Sequence, residues 1–292
     1  MDRDSYLNDR NGGFLHIIGP PINKYPYRGR DQFIEAWKKE MRRHQNAGFS
    51  DDGKGRSEYM LFTGVDQQTF THDFDSDILD NSHTWTTISW CGFDAINSLL
   101  LVRMPKSKEH EEAAKRFDYQ FHEALKPTGL VNAIRMWGSA TIHSNNGSKE
   151  ADLAWRPNRL PPQRSDNWPS VVLEVSFSEK SSKINSDIRF WLGQSEGDVK
   201  LVVILDIDRD TPDIKFETWD YDGRQPRRVQ SVRVRKVRKE VSVDGDPLII
   251  SFDRLFLRAP TIPREQDIRF DALGLEEIAR NIWVDQGFEP MI

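Results

Sequence analysis

The sequence has one cysteine and no long apolar run, and both absences narrow the class of protein. Cys91 is the single cysteine among 292 residues, which excludes an internal disulfide framework and a cysteine-rich zinc site and favours a reducing compartment. No apolar stretch approaches the ~20 residues of a membrane-spanning helix, and the first ten residues lack the apolar core of a signal peptide. We therefore expect an intracellular protein, nuclear or cytoplasmic, that has no signal peptide and does not span a membrane.

An excess of positive charge is also missing. The formal net charge of −5 argues against a protein that coats nucleic acid over its whole surface, although it allows a local basic patch. Large apolar side chains are plentiful, with 9 Trp and 16 Phe, so the chain can close a sizeable core. We expect a folded protein, built as one elaborated domain or two unequal ones, in which any contact with nucleic acid is regional.

The periodicity of apolar residues predicts an α/β fold. Spacing typical of helices covers 31–47, 107–126, 182–193 and 273–284, with Ser107 as the expected N-cap, and alternation typical of strands covers 133–143, 150–156, 170–177, 213–221 and 229–243. The run 200–208 reads as a strand buried on both faces, so the helix before it is a crossover. We expect a mixed four-stranded sheet flanked by helices, with an N-terminal elaboration (1–106), a core with basic strands (107–260) and a helical C-terminal tail (261–292).

Two acidic residues interrupt apolar strands, and they are the strongest functional signal. Alternation places Asp152 and Glu174 opposite the apolar residues of their strands. A buried carboxylate is costly unless a cation compensates it, and two of them on adjacent strands offer the oxygen ligands that Mg²⁺ accepts together with waters and phosphate oxygens. The pair therefore predicts a site for Mg²⁺ or Mn²⁺, and a structural ion pair with Arg135 or Arg156 is the alternative.

Several short segments around these acids occur in an order known from one group of enzymes. They are Asp-Leu-Ala-Trp at 152–155, Pro-Ser-Val-Val-Leu-Glu-Val-Ser at 169–176, Ser-Glu at 178–179, Trp-Leu at 191–192 and Val-Lys-Leu-Val-Val-Ile-Leu at 199–205. Over about 107–220 the chain thereby resembles the PD-(D/E)XK, restriction-endonuclease-like nuclease superfamily, and more narrowly its uncharacterised fungal members and bacterial relatives. The resemblance implies hydrolysis of DNA or RNA phosphodiesters through a metal held by Asp152 and Glu174.

The chain departs from that pattern where the family has a lysine. Ser176 stands two residues after the second acid, at the lysine position, and Ala151 replaces the usual proline. The resemblance implies that Lys180 or Lys183, at the start of the next helix, supplies the missing amine. It also implies a third acid at Glu123, for which a plain surface residue is the alternative. Ser176 keeps open a second hypothesis, a catalytically inactive module that binds nucleic acid or protein.

A basic stretch at 224–240 is the second functional candidate. Alternation places its arginines on one strand face, where they could contact a phosphate backbone. The candidate nucleic-acid-binding residues are Arg228, Arg233, Arg235, Lys236 and Arg238. The alternatives are an edge strand protected from aggregation by its charge and, for 235–239, a nuclear localisation signal.

Other polar residues give no chemical pattern. The histidines lack mutual ligand spacing and Cys91 has no evident base partner, so we interpret them as packing or surface residues: His16, His44, His83, His110 and His143. A third hypothesis is an interaction protein whose function lies in the first 100 residues.

Overall fold

The computed structural model describes residues 12–46, 57–74, 89–138, 140–177 and 181–290. The chain divides into two compact units, each built from separate stretches of sequence. The first comprises 1–106, 141–150 and 179–190, and the second comprises 107–140, 151–178 and 191–292. Whether the three regions expected from the sequence are domains in their own right stays a prediction.

The first unit takes its helices and strands mainly from the N-terminal third of the chain. They are β1 (Asn23–Pro26), α1 (Arg30–Asn46), β2 (Tyr59–Thr63), α2 (Gln67–Asp73), β3 (Ser89–Asp94) and β4 (Leu99–Arg103). The long helix that follows, α3 (Lys108–Leu125), and the strand β5 (Ile134–Trp137) belong to the second unit. The first unit then adds the hairpin β6 (Thr141–Ser144) and β7 (Gly147–Glu150).

The remaining elements come in the order β8 (Leu153–Pro157), β9 (Val171–Phe177), α4 (Ser181–Ile188), β10 (Leu201–Ile207), β11 (Asp213–Tyr221), β12 (Pro226–Val237), β13 (Glu240–Asp244), β14 (Leu248–Ile250), α5 (Phe252–Phe256), β15 (Ile268–Phe270) and α6 (Ala272–Asp285). All of them except α4 lie in the second unit. A π-helical turn, Arg189–Gly193, follows α4 directly.

The described strands of the first unit form a six-stranded sheet in the order β1-β2-β4-β3-β7-β6. An aromatic cluster packs against it, centred on Phe33 of α1, Phe62 of β2 and Phe70 of α2. The Phe70 and Phe93 rings stack with their centroids 3.9 Å apart. The helix predicted over 31–47 is confirmed as α1, and its core-facing residue Phe33 is fully buried.

In the second unit, the described strands form a seven-stranded sheet in the order β13-β12-β11-β10-β9-β8-β5. The α/β class is confirmed, whereas the four-stranded sheet is wrong. β11, β12 and β13 continue the same sheet beyond β10, and β5 extends it beyond β8. β9 and β10 pair in parallel, as a crossover through α4 requires.

The core of the second unit lies against one face of this seven-stranded sheet. Alternate residues of its strands pack with α3 and α6 into a single apolar cluster. The Phe121 ring of α3 stacks on Trp155 of β8 with the centroids 4.7 Å apart. Ser107 caps α3 as predicted, because its hydroxyl accepts from the His110 amide. The opposite face therefore carries the residues that interrupt the apolar pattern.

The chain changes sheets between Glu150 and Leu153, which the sequence did not predict. A single strand over 150–156 is wrong, because β7 lies in the six-stranded sheet and β8 in the seven-stranded one. The strand expected over 133–143 divides in the same way into β5 and β6. Asp152 consequently lies in the short link between two strands that belong to different sheets.

Candidate functional site

The register of β8 and β9 brings the two predicted acids side by side. Leu153 pairs with Leu173 and Ala154 with Val172. Asp152, the residue immediately before β8, accepts a hydrogen bond from the amide of Val175, the residue after Glu174. Glu174 lies opposite the core-facing residues of β9, Asp152 lies just before β8, and both are buried, with 4% and 5% exposure. The second unit thus holds two buried carboxylates next to each other.

Asp152 is held from two directions. Its Oδ2 accepts a 2.9 Å hydrogen bond from the Val175 amide of β9. Because β8 begins only at Leu153, this oxygen takes the place of a strand carbonyl at the end of the ladder. Its Oδ1 lies 3.0 Å from Nε2 of His110, a side chain with no exposed surface in the first turn of α3. The carboxylate is therefore bound by groups from a helix and from a strand.

Glu174 is bound by an indole. Its Oε1 accepts a 2.6 Å hydrogen bond from Nε1 of Trp191, which lies in the π-helical turn after α4. Short π-helical turns within helices are frequent at functional sites. Trp191 is itself fully buried and meets the Trp168 ring edge to face at 6.2 Å. An N–H donor compensates part of the cost of burying the carboxylate.

A polar row crosses the sheet next to this pair. Ser176 of β9, Asp206 of β10 and Lys215 of β11 are direct neighbours in the register of three adjacent strands. Burial raises the pKa of the Asp206 carboxyl above its ordinary value, while the nearby Lys215 ammonium and Ser176 hydroxyl act in the opposite direction. The position where the resembled family has a lysine is therefore bordered by a carboxyl group and, one strand further, by an amine.

The lysines proposed from the resemblance have different outcomes. Lys180 lies outside the described residues. Lys183 belongs to the first unit, where its Nζ lies 2.6 Å from Oδ2 of Asp187 and 4.5 Å from the centre of the Tyr59 ring. Lys149 contacts the other oxygen of the same aspartate at 2.9 Å. The role of Lys183 toward Asp152 and Glu174 stays a prediction.

Glu123 is not brought together with the acid pair. It lies near the C-terminal end of α3 and pairs with Lys126 on the surface. His110, which contacts Asp152, is thirteen residues earlier on the same helix, and a rise of 1.5 Å per residue separates the two by about 20 Å. The alternative of a surface residue therefore describes Glu123.

Of the two arginines considered as structural partners of Asp152 and Glu174, Arg135 is exposed and Arg156 lies over the Trp137 ring.

The basic stretch forms β12 and its turn into β13. Most of its candidate residues pair with acids of neighbouring elements: Arg228 with Glu217, Arg233 with Asp213, Arg235 with Asp244 and Lys236 with Glu289. Arg238 is exposed in the turn, with a positive φ of 61°. β12 lies between β11 and β13, so the interpretation as an edge strand is wrong. Contact with nucleic acid stays a prediction, and a phosphate would share these cations with the acids.

The donor types of the acid pair suit Mg²⁺ or Mn²⁺. In the part of the chain that the structure describes, no group of three or more His, Cys, Asp or Glu side chains is arranged to hold a metal ion. Mg²⁺, however, is commonly held by one or two carboxylates and keeps several waters. A carboxylate oxygen carries two lone pairs, so accepting one N–H bond does not prevent the same oxygen from binding a cation. Asp152 and Glu174 thus fit an ion that retains part of its water shell.

Comparisons with known proteins add little to this geometry. No protein-family model and no curated protein matches the chain. Among solved structures, a DUF820 protein from Anabaena variabilis, described as a proposed nuclease, is similar at 14% identity and a TM-score of 0.37, over 65% of this chain and 90% of that one. A likeness this distant carries no argument about function. Within the described ranges, no helix has the length and apolar character needed to cross a bilayer.

The sequence analysis did not identify three residues of the site, although two of them are polar residues that interrupt an apolar pattern. His110 is an imidazole inside the otherwise apolar stripe of α3, and Asp206 is an acid at the end of the apolar run of β10. The reasoning that selected Glu174, an acid within a buried strand, applies equally to Asp206. Trp191 gave no signal, because a tryptophan in a helical stripe is ordinarily a core residue.

Proposed function

We propose that this chain is a metal-dependent nuclease that hydrolyses phosphodiester bonds of DNA or RNA. Asp152 and Glu174 are the proposed ligands of Mg²⁺ or Mn²⁺. The observation that carries the proposal is the pair of buried carboxylates of Glu174 on β9 and of Asp152, which directly precedes β8, the neighbour of β9, and accepts from the Val175 amide. An intracellular location, nuclear or cytoplasmic, is part of the same proposal.

The chain's own groups orient the two acids. His110 and the Val175 amide hold the two oxygens of Asp152, and the Trp191 indole holds one oxygen of Glu174. An ion bound there would polarise a phosphodiester and lower the pKa of a bound water. Lys180 or Lys183 would stabilise the negative charge that develops on the phosphate. The cations of β12 would contact the phosphate backbone on either side.

A cleavage assay tests the proposal. The full chain is incubated with supercoiled plasmid, single-stranded DNA and RNA in the presence of Mg²⁺ or Mn²⁺, alongside Asp152→Asn, Glu174→Gln and a control, Glu276→Gln. Glu276 is an acid of α6 that pairs with Arg280 one turn further along the same helix. We expect cleavage by the parent and the control, and in the other two a loss larger than the ~10–100-fold that an outer-shell contact contributes. Absence of cleavage, or equal cleavage by Asp152→Asn, contradicts the proposal.

A second candidate is a binding module without catalysis. Two observations favour it: Ser176 occupies the lysine position, and both oxygens of Asp152 accept contacts from protein groups. Calorimetry with Mn²⁺ separates the candidates, because the nuclease must bind the ion and the module need not. If the module binds nucleic acid through β12, Arg233→Gln should weaken binding and reduce its dependence on salt.

A further inference from the structure

We infer that His110 is the positioning residue for Asp152, fixing the orientation in which this carboxylate binds a divalent cation. The inference rests on the proposed function and deepens it. His110 Nε2 lies 3.0 Å from Asp152 Oδ1, and the two side chains have 0% and 2% exposure. The contact is shielded from water, so solvent screening weakens it little.

Asp152 needs such a restraint because of where it lies in the chain. Glu174 is in the middle of β9 and is paired with β10 through Ile204. Asp152 instead precedes β8, in the two-residue link that follows β7. Ladder hydrogen bonds of its own strand therefore do not set its orientation, and side-chain contacts must do so.

The imidazole is well placed to provide this restraint, because its helix is anchored at both the cap and the core. Ser107 caps the turn that carries His110. Further along α3, Phe117 and Phe121 are fully buried. Phe121 stacks on Trp155 of β8, the strand that begins directly after Asp152. A change in the position of His110 would require α3 to move against the core.

Two groups on different oxygens restrain the plane of a carboxylate. The Val175 amide donates to Oδ2 and the imidazole lies 3.0 Å from Oδ1, so losing His110 removes the restraint on Oδ1. Outer-shell contacts that orient a metal ligand contribute about 10–100-fold to metal affinity. His110 should therefore act on the affinity of the site for the ion.

Mn²⁺ titration calorimetry on the full chain tests this role with variants whose amide side chains differ in length. In His110→Gln the amide nitrogen replaces Nε2, whereas in His110→Asn the side chain is too short to contact Asp152. His110→Leu removes the polar group, and His122→Gln, at the far end of α3, is the control. We expect affinity to fall about 10–100-fold in the Leu and Asn variants and to stay near the parent value in His110→Gln and the control.

The possible failures are distinguishable. If the parent chain binds Mn²⁺ and His110→Asn binds it equally well, the positioning role is wrong and the proposed function stands. If His110→Gln loses as much affinity as His110→Asn, the histidine does not act through its Nε2 contact, and the inference is also wrong. If the parent chain does not bind Mn²⁺, the proposed function fails, and the role of His110 fails with it. A circular dichroism melt of each variant shows which of them are folded, and His110→Asn decides if His110→Leu is not.

Discussion

At the scale of single residues, Asp206 shows how burial and charge compete on the polar face of the seven-stranded sheet. Burial is the largest influence on its carboxyl and raises the pKa, and Lys215 and Ser176 offset this only in part. The folded chain therefore holds this proton to a higher pH than the unfolded chain does. Asp206 contributes its full share of stability below the ordinary aspartate pKa, and that share is lost as the pH rises through the raised value.

Replacing this carboxyl by a neutral amide should remove the pH-dependent loss. We expect Asp206→Asn to gain free energy of unfolding relative to the parent at about pH 7.5, and the gain to disappear at about pH 3.5, where the aspartate is protonated in both states. Urea unfolding at the two pH values measures the difference. A variant that is less stable than the parent only at the higher pH would show that Lys215 dominates over burial.

Trp191 offers a residue-scale test of how Glu174 is held. Replacing it by Phe keeps most of the apolar volume and removes the indole Nε1–H, which donates a 2.6 Å hydrogen bond to Oε1 of Glu174. Loss of a buried donor to a charged group costs about 1–3 kcal/mol. Trp283 is a matched control, because it is also fully buried and its Nε1 has no hydrogen-bond partner among the described residues.

We therefore expect Trp191→Phe to lower the free energy of unfolding by about 1–3 kcal/mol more than Trp283→Phe does. Chemical denaturation of both variants measures it. Equal costs would mean that the hydrogen bond to Glu174 contributes nothing to stability.

At the scale of elements, α3 links the sequence pattern to the site. The prediction over 107–126 is close to the observed Lys108–Leu125, because an N-cap, an acidic first turn and an apolar stripe are all local signals. The same stripe made His110 look like a core residue, since it is as buried as the phenylalanines beside it. Local patterns identify which face of a helix is buried, but they do not identify which buried residue contacts an acid on a strand.

The cap of α3 can be tested directly. Ser107→Ala removes the oxygen that accepts from the His110 amide and should lower the free energy of unfolding by about 1 kcal/mol. Lys115→Ala, on the exposed side of the same helix, should change it by no more than about 0.5 kcal/mol. Thermal and urea unfolding measure both. Equal effects would show that Ser107 does not stabilise the helix through capping.

The strands show where local patterns stop being informative. β9 and β10 were predictable because each is a nearly continuous apolar run. The division of 150–156 into β7 and β8 was not predictable, because alternation in sequence continues through the link while the pairing partner changes. Which strand lies beside another depends on contacts far apart in sequence, and the same limitation led to a sheet of four strands where seven are found.

At the scale of the whole molecule, physical reasoning from the sequence could select the two acids but not the proposed amine. Asp152 directly precedes β8 and accepts from the amide that follows Glu174 in β9, the strand paired with β8, and each acid could be selected from the apolar segment around it. Lys183 was selected only by its place in a resembled pattern, and the structure gives it Asp187 and Lys149 as neighbours in the first unit. The selection of the two acids as site residues therefore has a physical basis, whereas the selection of Lys183 depends on the resemblance alone.

The central claim is that this pair of carboxylates binds a divalent cation, and a diffraction experiment on crystals soaked in Mn²⁺ tests it most directly. We predict an anomalous difference peak within direct coordination distance of a carboxylate oxygen of Asp152 and one of Glu174, about 2.0–2.2 Å from each, as expected for an octahedral site of this kind. The peak should disappear in crystals of Glu174→Gln. A map with no peak at the pair, while Asp152 keeps its contacts with His110 and Val175, would contradict the claim.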